Sequence, residues 1–435
     1  MNGRLIESIP FFKRAAEIDP DFAFAYGHLS VFYSQSNRPT LAAENAAKAY
    51  ALRERIGNES EKLRYIWRYH LTARGDMDKA LETGLLLRQM YPQFAVFNDL
   101  SINYNLTGQS EQAIAAARES IRLYPYFAPA HRNLGQALLR LNRFAEAKDS
   151  LAQALAQKLE TTEGHAVLYQ IAFIEGDQAE RQRQLDSLTG TSEEYVGFDW
   201  QAQAAAFGGQ WRKTQDFTRR AIELTARGDT QEIAARYAAE QALRGAVFGA
   251  CRQAQAAAAQ GLKLTRGRAS LPRAALALAL CGETTQVKPL LNDLTKRYPE
   301  DTFINAVWLP TIRAALDLQR GKAASALEQL QATTRYEAAA EFWPQYLRGQ
   351  AYLQLKQNTE AAAEFQKILD HRGYAPLSPL YPLAQLGLAR AAALTGDTTR
   401  MKKAYGDFLA GWKDADVDLP ILRAVQREFL PRKKG

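Results

Sequence analysis

A frame of small and aromatic residues recurs about every 34 residues, and a chain with such a period folds as an array of similar units rather than around one core. Across residues 127–159 the frame reads His131, Leu134, Gly135 and Leu138, then Phe144, Ala147, Leu151 and Ala154. These spacings place one apolar stripe on each of two helices, joined by the short polar turn Leu141-Asn142-Arg143. One repeat earlier, Phe97, Leu100, Ser101, Tyr104, Gly108, Ala113, Ala117 and Ser120 take the equivalent places. Tyr26, Leu29, Ser30, Tyr33, Ala42, Ala46 and Ala49 do so near the start, and Gly349, Tyr352, Ala361 and Phe365 restore the frame later. The small residue after Leu lets the two helices approach closely, and the aromatic three positions on fills the space beside it. Asp19-Pro20, Tyr91-Pro92, Tyr124-Pro125 and Tyr298-Pro299 each stop a second helix and open the next unit.

Repeat starts fall near Ala23, Glu61, Phe94, Ala128, Thr162, Tyr195, Ala235, Arg268, Val307 and Phe342. A last hairpin spans 383–412, and an amphipathic helix at 419–429 is placed to cover the apolar face that a finite array leaves open. The pattern predicts an all-α fold, a right-handed superhelical solenoid of about eleven helical hairpins with a C-terminal capping helix. By regularity it divides into four stretches. Residues 1–160 hold regular repeats, the first a half-hairpin, and 161–340 hold degenerate ones whose turn glycines Gly176, Gly209, Gly249, Gly282 and Gly321 keep the register. Regular repeats return over 341–412, and 413–435 form the capping helix and a basic tail.

The run of aromatic, Leu-small, aromatic, then Ala, Phe, Ala and Pro resembles the tetratricopeptide repeat over nearly the whole chain. That resemblance implies a protein or peptide partner held on the face of the first helices. More specifically, AVWLPTIRAAL, YLRGQAYLQL, EFQKILDHRG and DFLAGWKDADVDLPIL resemble the C-terminal tetratricopeptide region of acidobacterial serine/threonine protein kinases. In that family the array follows a kinase domain, so the resemblance implies a sensory or regulatory arm. The chain itself carries no Gly-rich loop before a strand, no V-A-I-K, no H-R-D and no D-F-G, and His371-Arg372-Gly373 reads as a turn.

Composition narrows the function classes further. With 47% hydrophobic residues the chain has enough apolar surface to offset its ordering entropy. A net charge of +8 over 435 residues does not point to nucleic acid. No apolar run reaches the roughly 20 residues of a bilayer-spanning helix, and MNGRLIESIPFFKRAAEIDP lacks the apolar centre of a secretory signal. As written, the chain is expected in the cytosol; as part of a membrane-spanning parent it would sit in the periplasm or outside the cell. In reducing surroundings Cys251 and Cys281 read as free, half-buried thiols, with a redox pair as the alternative because both sit near turns of adjacent repeats. The histidines His28, His70, His131, His165 and His371 show no metal-binding spacing. Glu59/Glu61 and Asp414/Asp416 read as loop carboxylates, and Gly208-Gly209 as a turn. No cofactor, metal site or catalytic residue is expected.

What remains is a surface. Positions of the first helices not consumed by packing give a candidate groove of Tyr65, Tyr69, Asn98, Asn105, Arg132, Gln136, Arg140, Gln170 and Gln203, continued by Trp308, Trp343 and Tyr346. Ile102, Phe173 and Asp199 join the polar stretch, and Leu243, Val247, Leu276, Leu280 and Gln350 give a more apolar lining further on. Tyr, Trp and Arg anchor interfaces, and amides can pair with an extended backbone. The two-Lys, two-Asn, one-Arg clamp of some family members is not reproduced, since Asn133 fits one place but Ile102 stands where Asn is needed. At the start, Gly3 aligns with a turn glycine, so the helix at 5–18 lacks its partner and Leu5, Ile9 and Phe12 form an apolar stripe. Truncation explains that stripe, and the alternative is a homo-oligomer in which the C-terminal helix of a neighbouring chain covers it head to tail.

Overall fold

The computed structural model describes residues 2–92, 96–226, 230–339 and 341–429. Phe94, the basic tail 430–435 and the side chain of Leu5 lie outside that description. Two compact units divide the chain: Met1–Ser187 with Tyr298–Phe303, and Leu188–Arg297 with Ile304–Gly435.

Unit 1 opens with α1 (Asn2–Ile18), α2 (Ala23–Gln35) and α3 (Pro39–Ala51). Helix α4 (Glu59–Arg68) runs into a π-helical turn, Tyr69–Arg74, before α5 (Met77–Met90). Three further hairpins follow: α6 (Val96–Leu106) with α7 (Ser110–Leu123), α8 (Ala128–Arg140) with α9 (Phe144–Ala156), and α10 (Thr162–Glu175) with α11 (Gln178–Asp186). In each pair the first helix, A, packs on its own B helix, and successive A helices α6, α8 and α10 also touch. The apolar stripes meet between the layers, where Ala113, Leu134, Leu138, Leu151 and Ile171 are buried together. Burying one such Leu or Ile contributes about 1.5–3 kcal/mol. Local chemistry fixes the ends: the side chains of Asn58, Asp76, Thr161 and Asp177 accept N–H groups of the first turns of α4, α5, α10 and α11.

Unit 2 repeats the plan with α12 (Glu194–Phe207) and α13 (Trp211–Thr225), α14 (Gln231–Val247) and α15 (Cys251–Leu264), and α16 (Ser270–Leu280) and α17 (Thr284–Arg297). A second π-helical turn, Ile304–Trp308, leads into α18 (Leu309–Gln319), paired with α19 (Ala323–Gln331). Then come α20 (Trp343–Gln354) with α21 (Asn358–Asp370), α22 (Leu380–Thr395) with α23 (Thr398–Gly411), and α24 (Pro420–Phe429). The A helices α14, α16, α18, α20 and α22 form a continuous layer. The described residues thus form an all-α, tetratricopeptide-type stack of hairpins. The turn glycines Gly176, Gly209, Gly249, Gly282 and Gly321 all have φ between 69° and 81°, the left-handed conformation that ends a helix at low cost.

Unit 2 also closes on itself. Trp412, after α23, packs edge-on against Phe248 at 5.4 Å, and its indole N–H donates to the Phe207 carbonyl at 2.9 Å. The next residues continue this contact: Asp416 N–H donates to Gly209 O at 3.1 Å, and Ile421 N–H to Phe248 O at 3.2 Å. The Arg212 backbone N–H donates to the Asp416 carboxylate at 2.8 Å, and its guanidinium pairs with Asp418. Helix α24 meanwhile lies on the last hairpin, with Arg390 and Tyr405 both donating to Glu428.

One expectation is overturned. Cys251 and Cys281 are not free thiols; they form a disulfide that joins the start of α15 to the end of α16. The repeat period places the B-helix start of one hairpin beside the A-helix end of the next, with a Cα–Cα distance of 5.6 Å that a disulfide spans.

Candidate functional site

The A-helix face of unit 1 is organised by its period. Equivalent positions on neighbouring A helices lie side by side, so polar contacts recur at a sequence separation of 35: Arg64 donates to Asp99 at 3.0 Å, Asn133 to Asn98 at 3.0 Å, and Arg140 to the Asn105 carbonyl. Asn105 in turn donates to the Asn133 carbonyl at 3.1 Å, leaving its own side-chain oxygen without a partner. Asn98, Asp99, Asn105 and Asn133 are buried and form a hydrogen-bonded floor. Above it, Arg132 is half-buried, bonded to Asn133 Oδ1 and 3.7 Å from Glu163, while Gln136 is exposed and Gln170 half-buried. Arg68 is buried; burial, reinforced by the neighbouring Arg64 and only partly opposed by the Asp99 charge, lowers its pKa to about 10.

The predicted aromatics separate into two sets. Tyr65, Trp343 and Tyr346 are buried, so they pack beneath the face rather than on it. Tyr69 and Trp308 remain half-exposed. Each belongs to one of the two π-helical turns among the described residues, and such wide turns recur at functional sites. Tyr69 stacks on Tyr50 with ring centroids 3.9 Å apart.

Unit 2 carries a different surface, in which residues outside the predicted groove dominate. Gln203 Nε2 donates to Asp199 at 2.9 Å, and Arg244 lies 3.7 Å from Asp199 and 3.3 Å from Glu240. Glu240 also accepts from Arg236 at 2.9 Å. Arg273 sits over the Trp308 ring, 5.0 Å from its centroid, and donates to Glu341 at 2.8 Å. Burial, followed by the Glu240 charge, raises the Asp199 pKa to about 6. For Glu240 burial acts in the same direction, but Arg236, Arg244 and Arg273 outweigh it and hold the carboxyl below its usual range. The Arg236, Glu240, Arg244 series stands at i, i+4 spacing, a signal present in the sequence.

The stripe proposed for self-association is mostly covered by its own chain. Ile9 is buried against Leu29, Tyr33 and Ala42, and Phe12 stacks on His28 at 5.0 Å. Phe11, Phe22 and Phe24 are the aromatics exposed at that end. Among the described residues no group of three or more His, Cys, Asp or Glu is placed to hold a metal ion, and no helix is long and apolar enough to cross a membrane.

Two segments match the family model for the tetratricopeptide repeat, residues 128–159 and 345–370, which are the hairpins of α8 with α9 and of α20 with α21. No curated protein matches the chain. Among solved structures, the tetratricopeptide domain of P58(IPK) is similar at 15% identity, covering 87% of this chain and 100% of that one, with a TM-score of 0.25. Yeast Tom70 is similar at 11% identity over 85% of this chain and 94% of its own, with a TM-score of 0.34. The human IFIT1 dimer with PPP-AAAA is similar at 13% identity over 95% and 88%, with a TM-score of 0.40. The helix pairing and the two matched hairpins carry the repeat assignment.

Proposed function

We propose that the chain is a non-catalytic scaffold that receives a protein or peptide on the A-helix face of unit 1. The carrying observation is the layered arrangement there. A hydrogen-bonded floor of Asn98, Asp99, Asn105 and Asn133 holds half-exposed Arg132, with exposed Gln136 one turn further along α8, and half-exposed Tyr69 stands on the π-helical turn after α4. Repeat arrays of this type generally present such a face to protein partners, and Tyr and Arg are the residue types that anchor interfaces. Arg132→Glu combined with Tyr69→Ala is expected to abolish retention of a partner captured by the wild-type chain, with helicity by circular dichroism unchanged. Unimpaired retention would sink the assignment.

A regulatory arm of a serine/threonine kinase is a narrower form of this reading, supported by the four kinase-like stretches; the reading frame upstream of Met1 tests it. Head-to-tail self-association is the alternative, and with Ile9 buried it would use Phe11, Phe22 and Phe24. Sedimentation that does not change with concentration would remove it.

A further inference from the structure

The charged network on the A-helix face of unit 2 includes one acid that differs from the others in exposure and backbone conformation. Arg236, Arg244 and Arg273 bring three positive charges against two acids, the buried Asp199 and the half-buried Glu240. The remaining charge is balanced by Glu341, a residue from the loop before α20. Whereas the Asp199 and Glu240 side chains are 8% and 14% exposed, that of Glu341 is 49% exposed. It also occupies the left-handed region at φ 51°, and the following Phe342 does so at φ 70°. Consecutive non-glycine residues there are uncommon and are held in place by their surroundings.

The arginines also retain unused donors. Arg244 is 7% exposed, and its Nη1 has no hydrogen-bond partner. Arg273 Nε lies 3.8 Å from Glu240, beyond hydrogen-bond range, and has none either. Buried donors left unpaired are costly, whereas a planar guanidinium binds an oxyanion through two parallel bonds. Trp308 underlies Arg273 and is half-exposed, so the mouth of the network has an apolar platform beside its cation.

We propose that this network is a receptor for an oxyanion, a carboxylate or phosphate group carried by a ligand, which takes the place of Glu341 at Arg273. Exchange keeps the charge balance and releases the Glu341–Phe342 backbone from its left-handed conformation. The site is separate from the unit 1 face, so either assignment stands if the other fails.

Isothermal titration of the full chain with tetra-aspartate blocked at both ends, with the tetra-asparagine analogue and with inorganic phosphate tests the proposal. Glu341→Gln removes the internal competitor and is expected to bind the anionic probe about tenfold more tightly than wild type. Arg273→Gln on the Glu341→Gln background is expected to lose that gain. If that variant does not fold, Arg273→Lys, which keeps the charge but not the paired donors, is expected to lose most of it. Tight binding of phosphate identifies a free anion as the ligand class, and binding of tetra-aspartate alone identifies an acidic peptide. Equal binding of tetra-asparagine, no gain from Glu341→Gln, or a gain that survives the Arg273 changes overturns the proposal.

Discussion

The two units use the same hairpin but are held together in different ways. Through the hairpins of unit 1, each A helix meets its own B helix and the next repeat, so the contacts stay close in sequence, apart from the segment Tyr298–Phe303, where the Thr302 N–H donates to the Gly75 carbonyl, the Met77 N–H donates to Thr302 Oγ1 and Glu300 pairs with Arg74. Unit 2 adds a closure, in which Trp412, Asp416 and Ile421 reach residues about 170 to 210 positions earlier, at Phe207, Gly209 and Phe248. It also carries the disulfide and the charge network around Asp199 and Arg244. An open array is stabilised by neighbour interfaces summed along its length, whereas a closed one couples its first and last hairpins. Unit 1 is therefore expected to open in pieces and unit 2 as one block.

Trp412→Ala breaks this contrast most strongly. Trp412 is 2% exposed and packs on Phe248 and Phe408, so its loss is expected to cost about 3–5 kcal/mol. Hydrogen exchange is expected to rise across α12 to α15 as well as at the C-terminal end, with unit 1 unchanged; a rise confined to α23 and α24 would show that closure does not couple the unit. Reducing the Cys251–Cys281 bridge, which links positions 30 residues apart, is expected to cost unit 2 about 3 to 4 kcal/mol, read as a shift of only one transition in a two-step thermal melt.

Asp199 gives a pH signature to the same unit. Its folded pKa of about 6 stands above the ordinary aspartate value of 3.8, so folding takes up a proton between roughly pH 4 and pH 6. Stability from this group is therefore full below that window and falls by about 3 kcal/mol as pH rises through it. Asp199→Asn is expected to flatten the dependence in denaturant titrations at pH 4, 5, 6 and 7. A smaller effect is expected from Gly387→Ala. A Cβ there would lie 2.5 Å from the ring of Phe365, whose other edge leaves no room for a Cβ at Gly349 of α20 either, and the overpacking costs about 1–3 kcal/mol. The same unit 2 transition of the melt measures it.

Local pattern carried much of the hairpin order. Helices α2, α8 and α10 begin at Ala23, Ala128 and Thr162, the residues where the repeat frame starts, because small and aromatic packing positions recur within one hairpin. Closure had no such local signal: Trp412 and Phe207 each look like an ordinary helix-end aromatic, and only the fold brings them together. The disulfide escapes the sequence for a related reason: the absence of a secretory signal suggests free thiols, whereas the stacking of adjacent hairpins sets Cys251 beside Cys281. In the degenerate stretch the frame opened at Ala235, whereas α14 begins at Gln231, one turn earlier. Leu243, taken from that frame, is buried, and Arg236, Glu240 and Arg244 carry the charged contacts instead. Around Asn98, Asn105 and Arg132 the frame was regular and the polar strip was legible, although the sequence did not reveal that its amides bond mainly to one another.

A photo-reactive crosslinker at Gln136, exposed on the A-helix face, compared with one at Gln153, exposed on the B helix α9, tests the proposed use of unit 1 most directly. With a partner retained by the wild-type chain, crosslinks are expected from Gln136 and not from Gln153. Crosslinks from Gln153 with none from Gln136 would place the partner on the opposite layer and contradict the assignment.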